Sequence, residues 1–218
     1  MDESKYVSAL SLRWLTPFYD ALVEGPMSAF RMRTDMMREM GDLSGRSLLD
    51  VGCGTGTFVL MLKERFPSAE VIGLDGDPSI LEIARAKAQE RGLAIQFAES
   101  MSYSTPYPDD RFDVVATSLM LHHLSKAEKD RTIAEMFRVL KPGGAVYGLD
   151  FAEPRGPIGR GLRPLTRHFE RLEENVYGLL PVMFAKAGFV GYKERGRYVL
   201  GSLALFRAGK PQAVAETA

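Results

Sequence analysis

Residues 48–58, Leu-Leu-Asp-Val-Gly-Cys-Gly-Thr-Gly-Thr-Phe, constrain the fold more than any other stretch of the chain. An apolar strand end runs into an acid and three alternating glycines, and a helical pattern begins directly afterwards. Glycine lets a backbone turn sharply and lie flat against a ligand. The N-terminus of the helix that follows offers unpaired N–H groups and the positive end of a dipole. A strand–loop–helix of this kind belongs in a sheet whose strand ends face a small polar molecule.

The surrounding pattern agrees. Apolar runs predict strands over 47–51, 70–74, 94–98, 113–117 and 145–149, with helices between them. One helix is expected over 57–65, stopped by Pro67. Asp77-Pro78 supplies an N-cap with proline at the first helical position, and Ile80, Leu81, Ile83, Ala84 and Ala88 form the expected buried face. Ser125 with Glu128 is a capping box for a helix with Ile133, Met136, Phe137 and Leu140 inside. Lys141-Pro142-Gly143-Gly144 is expected to end it. Strands alternating with helices over short connections imply a parallel sheet covered on both faces.

The flanks read differently. Residues 6–40 carry Leu10, Trp14, Phe18, Leu22, Met36, Met37 and Met40 near helical spacing, interrupted at Pro17 and Pro26. Residues 151–176 are rich in Gly, Pro and Arg and read as an insertion. A short helix is expected over 181–187, then strands over 189–194 and 198–206 joined by a tight turn at Gly196. A small, polar tail from Gly209 is expected to be disordered. The expected organisation of the 218 residues is a single domain. Its parts are an N-terminal helical lid (1–44), a core (45–150), a substrate-side insertion (151–180), a helix with a strand hairpin (181–208) and the tail (209–218).

Composition removes several function classes. Twenty-eight basic and 28 acidic residues leave no net field to attract nucleic acid or an anionic membrane. One cysteine excludes an internal disulfide framework and a multi-cysteine metal cluster, so no metal is expected. No run of about 18 apolar residues exists to span a membrane. Met1-Asp2-Glu3-Ser4-Lys5 does not begin a signal peptide, so a cytoplasmic protein is expected.

The acids around the glycine loop select the ligand. A dinucleotide fingerprint would place its third glycine at position 57, which is Thr57. Asp50, two residues before Gly52, would repel a diphosphate and suit an ammonium group. Asp75 ends the second expected strand, where a carboxylate can accept from both hydroxyls of a ribose. Glu99 brings a further acceptor to the same edge. Three acids without a basic phosphate clamp suggest a cationic, ribose-bearing ligand, and S-adenosylmethionine has that chemistry.

Asp50-Val51-Gly52-Cys53-Gly54-Thr55-Gly56, Asp75, Glu99, Phe112-Asp113-Val114-Val115 and Leu140-Lys141-Pro142-Gly143-Gly144 resemble the ordered motifs of class I S-adenosylmethionine-dependent methyltransferases. The small-molecule branch typified by ubiquinone and menaquinone biosynthesis enzymes is the most similar. The resemblance covers residues 45–150. It implies a doubly wound, seven-stranded, mostly parallel α/β sheet with a C-terminal antiparallel strand and an N-terminal helical lid. It further implies that the Gly52–Gly56 loop, with Cys53 and Gly54 inside it, underlies the methionine part and that Asp50 lies near its amino group. Asp75 would hold the ribose. Glu99, or the backbone of Ser100 and Met101, would meet the adenine, with Met101 over its ring. The backbone near Thr117 and Ser118 would receive the methionine ammonium. Two positions depart from the family pattern. Gly76 stands where an apolar residue usually stacks on adenine, and Glu99 stands where an aspartate is usual.

His122 and His123 follow the fourth expected strand, and a histidine there can accept a proton from the methyl acceptor. Tyr19 and Trp14 are substrate-side candidates, whereas His168 reads as a surface or lid residue and Cys53 as a small packed side chain. Arg155, Arg160, Arg163, Arg167 and Arg171 form a local basic run suited to solvent, an anionic substrate or a lipid headgroup. The expected function is in-line methyl transfer to a small, partly apolar acceptor of quinone, polyketide or lipid type, without nucleic acid. Peripheral membrane contact and a monomer or homodimer are compatible with it. A nicotinamide-dependent oxidoreductase and a non-catalytic cofactor-binding module are the alternatives.

Overall fold

The computed structural model describes residues 26–155 and 172–213. Trp14, Tyr19, Arg160, Arg163, Arg167, His168 and Arg171 lie outside the described residues.

In chain order the elements are α1 (Pro26–Met40), β1 (Ser47–Val51), α2 (Thr57–Arg65), β2 (Glu70–Asp75), α3 (Pro78–Glu90), β3 (Gln96–Glu99) and β4 (Phe112–Ser118). A 3-10 turn at Leu121–His123 follows. Then come α4 (Lys126–Val139), β5 (Leu140–Phe151), α5 (Glu173–Val176), α6 (Leu180–Lys186), β6 (Val190–Tyr198) and β7 (Leu203–Gly209). The strands form one seven-stranded sheet in the order β3-β2-β1-β4-β5-β7-β6. Pairing is parallel from β3 through β5, whereas β7 runs antiparallel to both β5 and β6. The expected sheet class is what forms.

Local signals set the ends of these elements. Asp77 accepts from Ser79 N at 2.9 Å and opens α3, while Ser125 and Glu128 close a reciprocal capping box on α4. Alternation along β1 sends Leu48 to one face and Leu49 to the other. Leu48 joins a core cluster with Met32, Met36 and Met40 of α1 and Phe58 and Leu62 of α2. Leu49 joins a second cluster with Ile133 and Met136 of α4 and Phe184 of α6. Both faces are therefore covered. The sheet order reverses between β1 and β4, which opens a crevice at their carboxyl ends.

Several expected boundaries move. Lys141–Gly144 does not separate α4 from the next strand. The strand begins at Leu140, and its register with β4 jumps from Phe112↔Leu140 to Val114↔Ala145. The intervening residues bulge out, with Gly143 at φ 80° donating to Lys210 O. Gly196 is not the hairpin turn: β6 runs through it with a register shift, and Val199–Gly201 makes the turn instead. β3 starts at Gln96 rather than at residue 94. Ile83 of α3 is exposed rather than inside. Lys210 is tied down rather than part of a free tail, because its Nζ donates to Phe137 O and Leu140 O beyond the last turn of α4.

Candidate functional site

The glycine loop leaves β1 at the crevice. Gly52, Gly54 and Gly56 all have positive φ, a conformation other residues adopt at a cost. A Cβ on Gly52 would lie 2.4 Å from Met120 Cγ, so the β4 exit sits directly on this glycine. At Gly54 a Cβ would meet nothing within 4 Å, which leaves its outer face open. Asp75 braces the loop from the next strand. Its Oδ2 accepts from Gly54 N at 2.9 Å and its Oδ1 from Asp77 N at 3.1 Å. Each oxygen keeps a further lone pair. Lys87 of α3 donates to Thr55 Oγ1 at 2.8 Å and holds the far side of the loop.

Cys53 is buried beneath the loop, and its Sγ fills the space a Cβ on Gly73 would need. Burial, with Asp50 and Asp75 nearby, pushes its thiol well above the ordinary range, so it is a packed side chain and not a nucleophile. Gly76 has no side chain of its own, yet the surface it lacks is supplied. Met101 Sδ lies 3.0 Å from where its Cβ would stand, and Met101 is 39% exposed. Ser100 N donates to Asp75 O and Ser100 Oγ to Ser104 O, which fixes the turn carrying Met101. Glu99 is exposed at the end of β3.

Two buried polar atoms at the carboxyl ends of β1 and β4 have no hydrogen-bond partner, Asp50 Oδ1 and Thr117 Oγ1. Burial raises the Asp50 carboxyl to about 7; the positive charge of Arg33 opposes this rise and Asp75 adds to it. Ser118 ends β4, and Leu119 follows in the left-handed region at φ 54°. That conformation costs about 1–2 kcal/mol in a non-glycine residue and turns the chain back toward the glycine loop.

Sequence reasoning found His122 and missed what holds it. Asp150, fully buried near the end of β5, places Oδ1 3.0 Å from His122 Nδ1. The same carboxylate accepts from Met120 N, Leu121 N, Phe151 N and Asn175 Nδ2 at 2.7–3.2 Å. Ringed by donors, Asp150 acts as an acceptor toward His122 Nδ1, which selects for the neutral imidazole the tautomer with its lone pair on Nε2. His122 packs edge-on to Phe151 at 4.8 Å, and the exposed His123 ring lies 4.0 Å from it. Asn175 also lines a cavity of about 130 Å³ with Ala152, Glu153, Arg155, Tyr192 and Glu194, on the side of the expected insertion. Arg155 itself pairs with Glu194 at 3.0 Å. Among the described residues no group of three or more His, Cys, Asp or Glu could hold a metal ion. No described helix is long and apolar enough to cross a membrane.

Known proteins are similar to this chain in sequence and in fold. Residues 48–144 match a family described as a methyltransferase domain. The chain is similar to a demethylmenaquinone methyltransferase of Thermus thermophilus, 40% identical over 136 residues, which cover 62% of this chain and 60% of that protein. It is 30% identical over 186 residues to the protein of that name from Listeria welshimeri, covering 83% of this chain and 73% of the relative. The chain spans about 52–60% of the length of the first curated relatives it matches. Among solved structures, phosphoethanolamine N-methyltransferase 2 of Haemonchus contortus superposes with a TM-score of 0.69 at 17% identity, covering 85% of this chain and 53% of that one. The cyclase SpnF superposes at 0.68 and 24% identity, covering 86% and 82%. At 24% and 17% identity those two likenesses concern the fold alone. The relatives and the matched domain together with the strand order establish the lineage: the chain belongs to the class I S-adenosylmethionine-dependent methyltransferases.

Proposed function

We propose that the chain methylates a small, partly apolar, quinone-like acceptor at the carboxyl ends of β1 and β4. The observation that carries this reading is the pairing, at one sheet edge, of an acid-lined glycine cleft with the Asp150-braced His122. The name of the curated relatives, demethylmenaquinone methyltransferase, supports the acceptor class.

The residues present fit the cofactor. An unpartnered buried carboxylate oxygen on Asp50 and an unpartnered hydroxyl on Thr117 are polar groups left for a ligand to match. Bound there, S-adenosylmethionine would supply a methyl group activated by a positively charged sulfur. Gly52, Gly54 and Gly56 admit its methionine part, and Asp50 with Thr117 and Ser118 meets the ammonium. The spare lone pairs of Asp75 take the ribose hydroxyls. Met101 serves as the adenine platform in place of the missing side chain at Gly76, with Glu99 and Ser100 beside it. Cys53 supports the loop from beneath.

On the acceptor side, His122 Nε2 takes the hydroxyl proton of a quinol. Loss of that proton makes a ring carbon electron-rich enough to take the methyl group, and the hydrogen that carbon carried leaves as a proton when the ring regains aromaticity. Asp150 holds the imidazole in the productive tautomer and stabilises the charge it gains. His123 covers the exposed side of that ring. Tyr19 stays a candidate for acceptor contact. An apolar acceptor partitions into lipid, which supports a peripheral membrane approach through the arginine run.

The test is transfer from labelled S-adenosylmethionine to a demethylated naphthoquinol, with mass analysis of the product. His122→Ala should lower turnover by roughly 10²–10⁴ while leaving S-adenosylhomocysteine affinity intact. Wild-type turnover in that variant, or no binding of S-adenosylhomocysteine by the wild-type chain, refutes the reading.

A further inference from the structure

His122 and the carboxylate it bonds are joined a second time, through α5. Asn175 of α5 is fully buried, and its Nδ2 donates to Asp150 Oδ1 and to Phe151 O, both at 3.2 Å. Of the donors that surround Asp150, Asn175 alone comes from neither β5 nor the turn that bears His122. The residue before it, Glu174, accepts from Lys129 Nζ at 2.8 Å. Lys129 stands at the end of the first turn of α4, a short way along the chain from His122, and its side chain is wholly buried.

These contacts close a ring. His122 leads through the 3-10 turn and the Ser125 cap into α4, and Lys129 crosses from α4 to Glu174. Asn175 then crosses to Asp150, which returns to His122 Nδ1. Each crossing is a side-chain contact of 2.8–3.2 Å among buried or nearly buried groups. Such a ring gains little stability. A buried ion pair is often no better than apolar side chains of the same volume. Asn175 Oδ1 is buried without a partner, which offsets what its amide protons contribute. What a polar ring supplies, and apolar packing does not, is a unique distance and angle. The distance fixed here is the one between a base and the carboxylate that orients it.

We propose that Asn175 is a positioning residue for methyl transfer and that the Lys129–Glu174 pair holds it in place, so that together they keep Asp150 on His122 Nδ1. The proposal rests on the reading of His122 as the base and extends it to residues that touch neither acceptor nor cofactor in that reading. Without Asn175 the end of β5 loses its tie to α5, and the imidazole is free to turn away from the acceptor hydroxyl. A displacement of about 1 Å there is enough to slow a reaction on the order of 100-fold.

Two variants of the whole protein test this, Asn175→Leu and the combination of Lys129→Met with Glu174→Gln, both chosen to keep side-chain volume. Turnover is followed with labelled S-adenosylmethionine and a demethylated naphthoquinol. Calorimetric titration with S-adenosylhomocysteine reports on the cofactor site, and nitrogen NMR of histidine-labelled protein reports on His122. The chain has three histidines, so comparison with His122→Ala assigns the signals of His122. In the wild type the neutral ring should show one tautomer, protonated at Nδ1. Both variants should show a mixture of tautomers and a kcat lower on the order of 10- to 100-fold, with S-adenosylhomocysteine affinity within about twofold of wild type. A single Nδ1-protonated tautomer, or a wild-type kcat, in both variants overturns the proposal. So does loss of S-adenosylhomocysteine affinity in step with kcat, which would mean a general loosening of the fold. If the wild type turns over no naphthoquinol yet both variants still mix the tautomers, the brace stands and the acceptor reading fails.

Discussion

Replacing Asp50 by asparagine should stabilise the ligand-free protein above neutral pH, although it removes a group that the proposed function gives to the cofactor. Asp50 is 1% exposed, and burial raises its carboxyl from the ordinary 3.8 to about 7, with Arg33 offsetting part of the rise. The folded state therefore holds a proton that the unfolded chain releases. Between pH 4 and 7 the unfolded state binds fewer protons, so stability falls as pH rises through that window and levels off above it. The gap corresponds to on the order of 4 kcal/mol of destabilisation at pH 8 relative to pH 4, at about 1.4 kcal/mol per pH unit. Asparagine does not titrate, so Asp50→Asn should lack this contribution. The assay is urea unfolding of both proteins from pH 4 to pH 8. The stability difference, variant minus wild type, should grow in favour of the variant by a few kcal/mol across the series. It should shrink again when S-adenosylhomocysteine saturates the wild type, because a bound ammonium stabilises the ionised carboxylate. A difference that stays flat with pH would mean that Asp50 is solvated or paired in the ligand-free protein, and the argument from its burial would fail.

Three further outcomes follow from packing and burial. Lys129→Met should cost about 3–5 kcal/mol by stranding buried Glu174, its partner at 2.8 Å. Lys129→Met with Glu174→Gln should recover most of that in urea melts, and an equal loss in the double variant would refute the pairing. Gly148→Ala should destabilise by about 1–3 kcal/mol, because a Cβ there would stand 2.1 Å from Cζ of buried Phe206. A wild-type melting temperature in that variant contradicts the packing. Cys53 should react with iodoacetamide at pH 8 at least roughly tenfold more slowly in the native protein than in urea, since its thiol is buried and pushed up; equal rates would place it in solvent.

What the sequence disclosed depended on how far its cause reached. The Asp77 cap and the Ser125–Glu128 box were readable because both partners lie within one helical turn. The glycine loop was readable because positive φ leaves glycines in the sequence. Lys141–Gly144 read as a plain stop because nothing local says that Leu140 already pairs with Phe112. Gly196 read as a turn because a bulge and a turn use the same residue, and only pairing with β7 tells them apart. Asp150 went unseen because the groups it gathers stand 28 and 25 residues away.

The order β5-β7-β6 has a consequence for how the chain assembles. β6 precedes β7 in the chain, yet it lies outside β7 in the sheet and, among the described strands, pairs with β7 alone. Until β7 arrives, β6 has nowhere to pair, and the long β5 keeps a bare edge along most of its length. β6 can therefore join the sheet only with β7 or after it, about the Val199–Gly201 turn that links the two. The docking of β7 joins residues some 60 positions apart, such as Tyr147 and Arg207. Closing so long a loop is slow, and an open strand edge invites intermolecular pairing while it lasts. The Val199–Gly201 turn, with both its ends in the left-handed region, is what lets β6 fold back onto β7 and cover that strand's outer edge.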